Sequence, residues 1–151
     1  MKKGTYFFDV IGSNFRTNEL QSIIGITQLK KIDKFLKNRI KISEIYKKNI
    51  SNLTFQKIPN YVTKHPNMVF FAFAKNKKTR DRIIKYLNKN GIDAKHAWVP
   101  IHLQPCNPEM HKIKNKNSER AFNNGLFLPL YNEMKINDAK LIVKRIENFK
   151  V

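Results

Sequence analysis

The sequence predicts an α+β fold in which a long N-terminal helix precedes a small, mainly antiparallel sheet with helices on one face. The first observation is the longest helical pattern in the chain, at about residues 18–52, where apolar residues recur at steps of three or four between lysines. The second is the order of the patterns that follow, which runs strand, strand, helix, strand, short helix, strand, helix. We therefore expect two regions, residues 1–52 as a lead-in segment and connecting helix and residues 53–151 as a small α+β domain.

The long helix has a clear start and an expected interruption. Thr17 is the predicted N-cap, and Glu19 places a carboxylate in the first turn, where the helix dipole favours negative charge. One apolar stripe of the helix is expected to be buried, and the opposite, lysine-rich face is expected to be solvent-exposed. Because the pattern is long for a helix of a globular protein, we expect a break, with Gly25 and Ser43 as the weak points.

The segment just before this helix is a candidate anion site. The helix N-terminus points back at Asn14, which stands between Gly12 and Arg16. Backbone N–H groups at a helix start, a side-chain amide and a guanidinium can together hold a phosphate. An ordinary turn explains the same residues, so both interpretations stay open.

The later elements follow from shorter patterns. Residues 68–74 form the clearest strand, since seven apolar residues rich in aromatic side chains stand between a proline and a lysine-rich turn. Other strands are predicted at residues 53–58, 92–99 and 126–130. The predicted helices open at Thr79, Ser118 and Asn137, with Gly91 and Gly125 closing the first two.

Charge and cysteine content narrow the function classes. The chain carries 30 Lys+Arg against 11 Asp+Glu, a net charge of +19. This charge would attract a polyanion, but the lysines are scattered and accompany many Asn and Ile residues, which suggests a coding bias toward A and T. Nucleic acid is therefore not an expected partner.

The single Cys106 excludes an internal disulfide, and no zinc site is expected. Without a signal-peptide core or an apolar run of membrane-spanning length, we expect a cytoplasmic protein with no membrane partner.

Three blocks of the sequence resemble one enzyme family. Residues 12–21, G-S-N-F-R-T-N-E-L-Q, with I-G-I-T-Q-L at 24–29, are similar to the G-x-N-[YF]-R-M-x-[DE]-[LI]-Q-A-A-[IL]-G-x-x-Q-L segment of the DegT/DnrJ/EryC1/StrS aminotransferases. Residues 98–105, W-V-P-I-H-L-Q-P, resemble the family's [YW]-x-P-[LM]-H-x-Q-P block, and residues 125–130, G-L-F-L-P-L, resemble its L-x-L-P-L/S strand. The resemblance covers nearly the whole chain and the C-terminal portion of the family, and it is nearest the UDP-bacillosamine-type branch.

The resemblance implies a fold and a chemistry. It makes residues 53–151 the small C-terminal domain of a fold-type I pyridoxal-phosphate-dependent transferase, and residues 1–52 the end of its large domain. Members use pyridoxal 5'-phosphate to move an amino group from an amino acid, here expected to be glutamate, to a keto-sugar nucleotide. Their Schiff-base lysine lies in an S-F-x-x-x-K block that this chain does not contain. We therefore expect no catalytic residue here, no covalent bond to the cofactor and no transamination by this chain alone.

The resemblance also assigns binding residues. It implies that Asn14 holds the cofactor phosphate of a neighbouring protomer and that Arg16, Lys95, Trp98 and His102 contact the substrate. Four of them have a structural alternative: Asn14 as a turn-stabilising amide, Arg16 in a surface ion pair, Trp98 as a packed aromatic ring and His102 as a satisfied structural histidine. Trp98 follows an alanine where many members have a His-Tyr pair, which leaves the substrate open, and related dehydratases share this half of the sequence.

Two hypotheses of different class remain. The chain is either a split, truncated or remnant sugar aminotransferase, or a non-catalytic basic module that binds polyanions. The first predicts a nucleotide-sugar substrate, and a homodimer or pairing with a missing N-terminal half. The second predicts one coherent basic face.

Overall fold

The computed structural model describes residues 16–149 of the chain. Its contacts divide the chain into two compact units, Met1–Ile32 and Asp33–Val151. Between residues 16 and 149, no helix is long and apolar enough to cross a bilayer. The domain boundary predicted after residue 52 stays a prediction.

The first unit contains α1, Glu19–Leu29. Its N-cap is Asn18, whose side-chain oxygen accepts the Gln21 backbone N–H at 2.9 Å, while the Gln21 side-chain oxygen accepts the Asn18 N–H at 3.1 Å. This reciprocal pair is a capping box, and it needs a Gln or Glu three residues after the cap. The predicted cap, Thr17, is therefore wrong by one residue, and its hydroxyl lies 3.3 Å from that of Ser22 instead.

The long helix is interrupted as expected, but at a different place. α1 ends at Leu29 and α2 spans Ile32–Asn49, so the break falls at Lys30 and Lys31 rather than at Gly25 or Ser43. Ser43 is accommodated inside α2, because its hydroxyl donates to the Ile40 carbonyl at 2.7 Å. A serine bonded in this way does not end a helix.

The apolar stripe is buried on only one of these two helices. Ile42 and Tyr46 of α2 are fully buried, whereas no residue of α1 is buried. Leu20 on α1 is 73% exposed and Leu29 is 67% exposed. The predicted buried stripe is confirmed for α2, whereas the apolar side chains of α1 are exposed in this chain, as expected if the family's large domain or a partner subunit covers them.

The second unit is built on a four-stranded sheet. Its order is β1-β2-β4-β3, and every pairing is antiparallel. The strands are β1 Thr54–Phe55, β2 Phe70–Phe73, β3 Lys95–His96 and β4 Gly125–Leu128. The helices that follow α2 are α3 Lys77–Lys89, α4 Lys116–Asn124 and α5 Ile136–Glu147, and short 3-10 helices span Ile101–Leu103 and Pro108–Lys112. The predicted α+β class is confirmed, with shorter strands than expected.

The two faces of the sheet differ in burial. Phe70, Ala72, Leu126 and Leu128 point inward and are buried with apolar residues of α2, α3 and α5. Successive side chains of a strand point to opposite faces, so the residues between them point outward. These outward residues, Phe71, Phe73 and Phe127, are half-buried.

Glycines close two helices where the sequence predicted. Gly91 adopts φ +75 after α3, a conformation that favours glycine. Gly125 ends α4 and begins β4, where a Cβ atom would collide with the Ala121 carbonyl oxygen and the Phe71 ring. The glycine is therefore required there by a close approach.

Three predicted helix starts in this unit are wrong. α3 begins at Lys77 behind the N-cap Asn76, whose side-chain oxygen accepts the Thr79 backbone N–H at 2.8 Å. The cap of α4 is Asn115, whose side-chain oxygen accepts the Ser118 backbone N–H at 3.2 Å. The last helix starts at Ile136, directly after Lys135, and not behind Asn137. At the start of α4, Asn115, Asn117 and Ser118 are all residue types that cap helices well, so the correct one is ambiguous in the sequence.

Polar side chains of α2 hold the connection between β4 and α5. The buried Tyr46 hydroxyl donates to the Pro129 carbonyl at 2.9 Å. The Asn38 amide donates to the Asn132 carbonyl at 2.9 Å and to the Met134 carbonyl at 3.1 Å. These bonds join residues that are more than eighty positions apart in the sequence, and so they fix the return of the chain onto α2.

We expect Tyr46→Phe to lower the free energy of unfolding by about 1–2 kcal/mol, because the Pro129 carbonyl loses its donor while the ring packing is kept. Burial raises the pKa of Tyr46, so the hydroxyl remains a donor at neutral pH. Urea denaturation of both proteins measures the difference. Tyr61→Phe is the matched control, since Tyr61 is 84% exposed. Equal losses in the two variants would contradict the prediction.

A pH-dependent contribution is expected from Glu147. Its carboxylate accepts the Ser51 backbone N–H and the Ser51 hydroxyl, each at 2.8 Å, and these bonds lower its pKa from the ordinary 4.5. A carboxyl whose pKa is lower in the folded state stabilises the fold above its unfolded pKa and loses this contribution as the pH falls. The stability difference between wild type and Glu147→Gln should therefore be larger at pH 7 than at pH 3. Urea denaturation at the two pH values measures it, and an equal difference at both pH values would contradict the prediction.

Candidate functional site

Trp98 lies directly beyond β3 at the edge of the sheet. Its ring packs on Phe127, with 4.8 Å between ring centroids and 56° between ring planes, and the residue is 66% exposed. Phe127 thus fixes the position of the indole, and most of its surface remains open to solvent. The arrangement combines the two alternatives foreseen for Trp98, because the ring is packed and also accessible.

Trp98 ends a row of aromatic rings on the outer face of the sheet. Phe73 and Phe71 meet edge to face at 4.7 Å, and Phe71 lies 5.5 Å from Phe127, its partner on the neighbouring strand. Of this row, only Trp98 was predicted from the sequence as a binding residue, and Phe71, Phe73 and Phe127 were missed. The available signal was the F-F-A-F run at residues 70–73, in which alternate side chains must face outward.

Lys95 shares this outer face. It stands opposite Phe127 in the β3–β4 register, and directly opposed residues of an antiparallel pair point to the same side. Its ammonium lies 3.1 Å from the Asp93 carboxylate, and both side chains are largely exposed. Since an exposed ion pair is weak, the ammonium can exchange this partner for a ligand anion.

His102 is placed differently from Trp98 and Lys95. It lies in the 3-10 helix Ile101–Leu103 and is only 4% exposed. Its Nε2 atom is 3.3 Å from the Oε1 atom of Glu119 on α4. The imidazole is therefore directed at α4 rather than at solvent, an arrangement that favours the structural alternative for this histidine.

The remaining predicted residues belong to the other unit. Asn14 lies outside the described residues. Arg16 is exposed and precedes the cap of α1 by two positions. The structure thus brings together Lys95 and Trp98 of the five predicted binding residues.

The surroundings of Lys95 do not resemble those of a lysine that binds pyridoxal phosphate. A lysine that binds this cofactor must meet it in a pocket, together with an acidic partner for the pyridine nitrogen. Lys95, the lysine of the site, is instead exposed and paired with Asp93. Residues 16–149 also contain no group of three or more His, Cys, Asp or Glu side chains that could hold a metal ion.

The four-stranded antiparallel sheet with helices packed on its inner face gives the chain an α+β fold. Solved sugar aminotransferases share this fold. One is a DegT DnrJ EryC1 StrS aminotransferase from Brucella abortus, with a TM-score of 0.80 and 21% identity over 97% of this chain and 39% of that chain. Another is the PLP-form of the putative sugar aminotransferase Spr1654 from Streptococcus pneumoniae, with a TM-score of 0.72 and 18% identity over 95% and 38% of the two chains.

The chain belongs to the DegT/DnrJ/EryC1/StrS aminotransferase family, whose model matches residues 1–147. Family membership and the PLP-form neighbour indicate pyridoxal phosphate as the cofactor of the family, as expected from the motifs.

The names of the curated relatives include several different nucleotides. The chain is 26% identical over 144 residues to GDP-perosamine synthase of Escherichia coli O157:H7, covering 95% of this chain and 39% of that protein. It is 28% identical over 155 residues to UDP-4-amino-4,6-dideoxy-N-acetyl-beta-L-altrosamine transaminase of Helicobacter pylori, covering 93% and 40%. It is 26% identical over 157 residues to dTDP-4-amino-4,6-dideoxy-D-glucose transaminase of Shigella dysenteriae, covering 94% and 40%. The chain thus spans about two fifths of the length of these relatives.

Proposed function

We propose that the chain is the C-terminal part of a pyridoxal-phosphate-dependent nucleotide-sugar aminotransferase, which transfers an amino group from glutamate to a keto-sugar nucleotide. The family match over residues 1–147 carries this proposal. The names of the relatives support it, since they include a GDP-sugar synthase and UDP-sugar and dTDP-sugar transaminases. Because these names differ in nucleotide, the base and the sugar are left open.

The outer edge of the sheet supports a role in holding the nucleotide. An exposed indole held in place by Phe127 offers a flat surface on which a base can stack. Lys95, on the same face, supplies a cation for the diphosphate. His102 would then support this segment from beneath, and Arg16 would bind a carboxylate or phosphate with its guanidinium fork.

The cofactor chemistry requires residues that this chain does not contain. Pyridoxal phosphate supplies an electron sink when it is bound through a lysine, and the chain has no S-F-x-x-x-K block. We infer that the chain alone is inactive in transamination and that a polypeptide carrying this block completes the site. Asn14 is the residue of this chain proposed to hold the cofactor phosphate.

The exposed apolar side chains of α1 support the need for a partner. Leu20, Ile23 and Ile24 are each more than 60% exposed on one helix, and such a stripe is typical of an interaction surface. A second copy of the chain or the missing N-terminal half would cover it, in the cytoplasm. The polyanion-binding alternative rests on the charge of +19 and gains no support from the relatives.

Nucleotide binding tests the proposed site. Trp98 is the only tryptophan in the chain, so its fluorescence reports on this site alone. We expect saturable quenching by UDP, GDP or dTDP, and we expect Trp98→Ala, followed by calorimetry, to weaken the binding by about tenfold through lost stacking. At low salt, Lys95→Ala should also weaken nucleotide binding relative to the wild type. Lys85→Ala, on the exposed side of α3, should leave the binding unchanged.

Two results would count against the proposed site. Saturable binding that is unchanged in Trp98→Ala would place the nucleotide elsewhere on the chain. Failure of all three nucleotides to bind would contradict a nucleotide-binding role for the chain as it stands.

The apolar stripe of α1 is tested by association. We expect the chain to self-associate with rising concentration, because burial of these side chains removes apolar surface from water. Ile23→Lys and Ile24→Lys should suppress the association, as measured by sedimentation velocity. Gln28→Lys adds the same charge at a polar position of α1 and should leave it unchanged. A wild-type chain that stays monomeric at all concentrations would contradict the expectation.

A further inference from the structure

The segment that follows Trp98 is held together by its own hydrogen bonds. Residues 98–113 contain both 3-10 helices, Ile101–Leu103 and Pro108–Lys112. The Asn107 side chain donates to the Ile101 carbonyl at 3.2 Å, and His111 Nε2 donates to the Gln104 carbonyl at 3.1 Å. Such local bonds give the segment a shape but do not attach it to the rest of the domain.

One hydrogen bond attaches the segment to another element, in addition to the packing of Trp98 on Phe127. Among the hydrogen bonds of residues 16–149, the 3.3 Å contact between His102 Nε2 and Glu119 Oε1 is the one that joins residues 98–113 to another element. His102 is buried, whereas its neighbour Ile101 is 67% exposed. The imidazole is thus the polar side chain that the segment turns toward the domain.

Glu119 is itself held in place at the start of α4. The same Oε1 atom accepts the backbone N–H of Asn115 at 2.9 Å. Asn115 is the N-cap, and its side chain accepts the Ser118 N–H at 3.2 Å. One carboxylate oxygen, Oε1, therefore contacts both the Asn115 N–H at the start of α4 and His102. Through this atom, the position of His102 depends on that of α4.

We propose that Glu119 is a positioning residue, which holds residues 98–113 against α4 through His102 and thereby helps to keep Trp98 on Phe127. This inference rests on the proposed function only in taking Trp98 as the nucleotide contact. It assigns His102 a role in packing rather than in touching the substrate. No motif noted in the sequence includes Glu119.

Hydrogen exchange tests this attachment directly. In Glu119→Ala, amides of residues 98–113 should exchange about tenfold faster, since the segment loses its tie to α4. Amides of Ile83 to Leu87, in the buried part of α3, should be unchanged. Glu119→Gln should restore slow exchange, because its amide oxygen can accept from both Asn115 and His102. Glu44→Ala, an exposed glutamate on α2, is the matched control.

His102→Asn provides a second variant that leaves the Glu119 cap of α4 intact. It should loosen residues 98–113 to a similar extent, and the double variant with Glu119→Ala should be no looser than either single one, because the two residues act as a unit. Unchanged exchange in residues 98–113 in His102→Asn, or additive effects in the double variant, would overturn the proposal. This holds even if Glu119→Ala unfolds α4.

Binding data separate this inference from the proposed function. If the wild type binds a nucleotide, Glu119→Ala should weaken the binding by about fivefold while Glu119→Gln retains it. If the wild type binds none, the proposed function fails, and the exchange data still decide whether Glu119 positions the segment. Weaker binding without faster exchange would overturn the positioning role.

Discussion

The hydrogen bond from Tyr46 to the Pro129 carbonyl is the contact on which the packing of the second unit depends. Tyr46 is fully buried, its ring lies 4.9 Å from that of Phe70 on the inner face of the sheet, and its hydroxyl reaches the end of β4. One side chain of α2 therefore touches the sheet and the connection that leads into α5. Asn38 and Arg39 extend the same link, through the Asn132 carbonyl and side chain respectively. A buried hydroxyl without its acceptor would be costly, so α2 has little freedom to shift along the sheet.

The position of the candidate site follows from this packing. Once Phe70 and Ala72 are committed to the inner face, the pleat sends Phe71 and Phe73 outward. The register between β2 and β4 then brings Phe127 beside Phe71, and Trp98 completes the row from the far side. The exposed indole is thus a consequence of the hydrophobic core, since a slip by one residue would bury the outer rings and expose the inner ones.

Buried polar contacts arrange the rest of the domain around the sheet. Arg80, almost fully buried on α3, donates to the Phe122 carbonyl at 3.0 Å at the end of α4. Glu119 then relates the start of α4 to His102. Two contacts therefore link α3 to the segment that carries Trp98. Arg80 joins α3 to the backbone of α4, and Glu119 joins α4 to His102. The fold alone does not determine function, so the function must be argued from the residues that the fold positions.

The sequence by itself determined the α+β class, the order of the elements, the turn at Gly91 and membership of the aminotransferase family, because apolar periodicity, glycine conformation and motif spacing are local properties. It identified Trp98, Lys95 and His102 by resemblance to that family. Only the structure decided that Asn115, and not Ser118, caps α4, since both are good capping residues within one turn of each other. It alone revealed the outward aromatic row, and it paired His102 with Glu119, seventeen residues away. Such contacts depend on strand register and helix placement, which residues far apart in the chain set together.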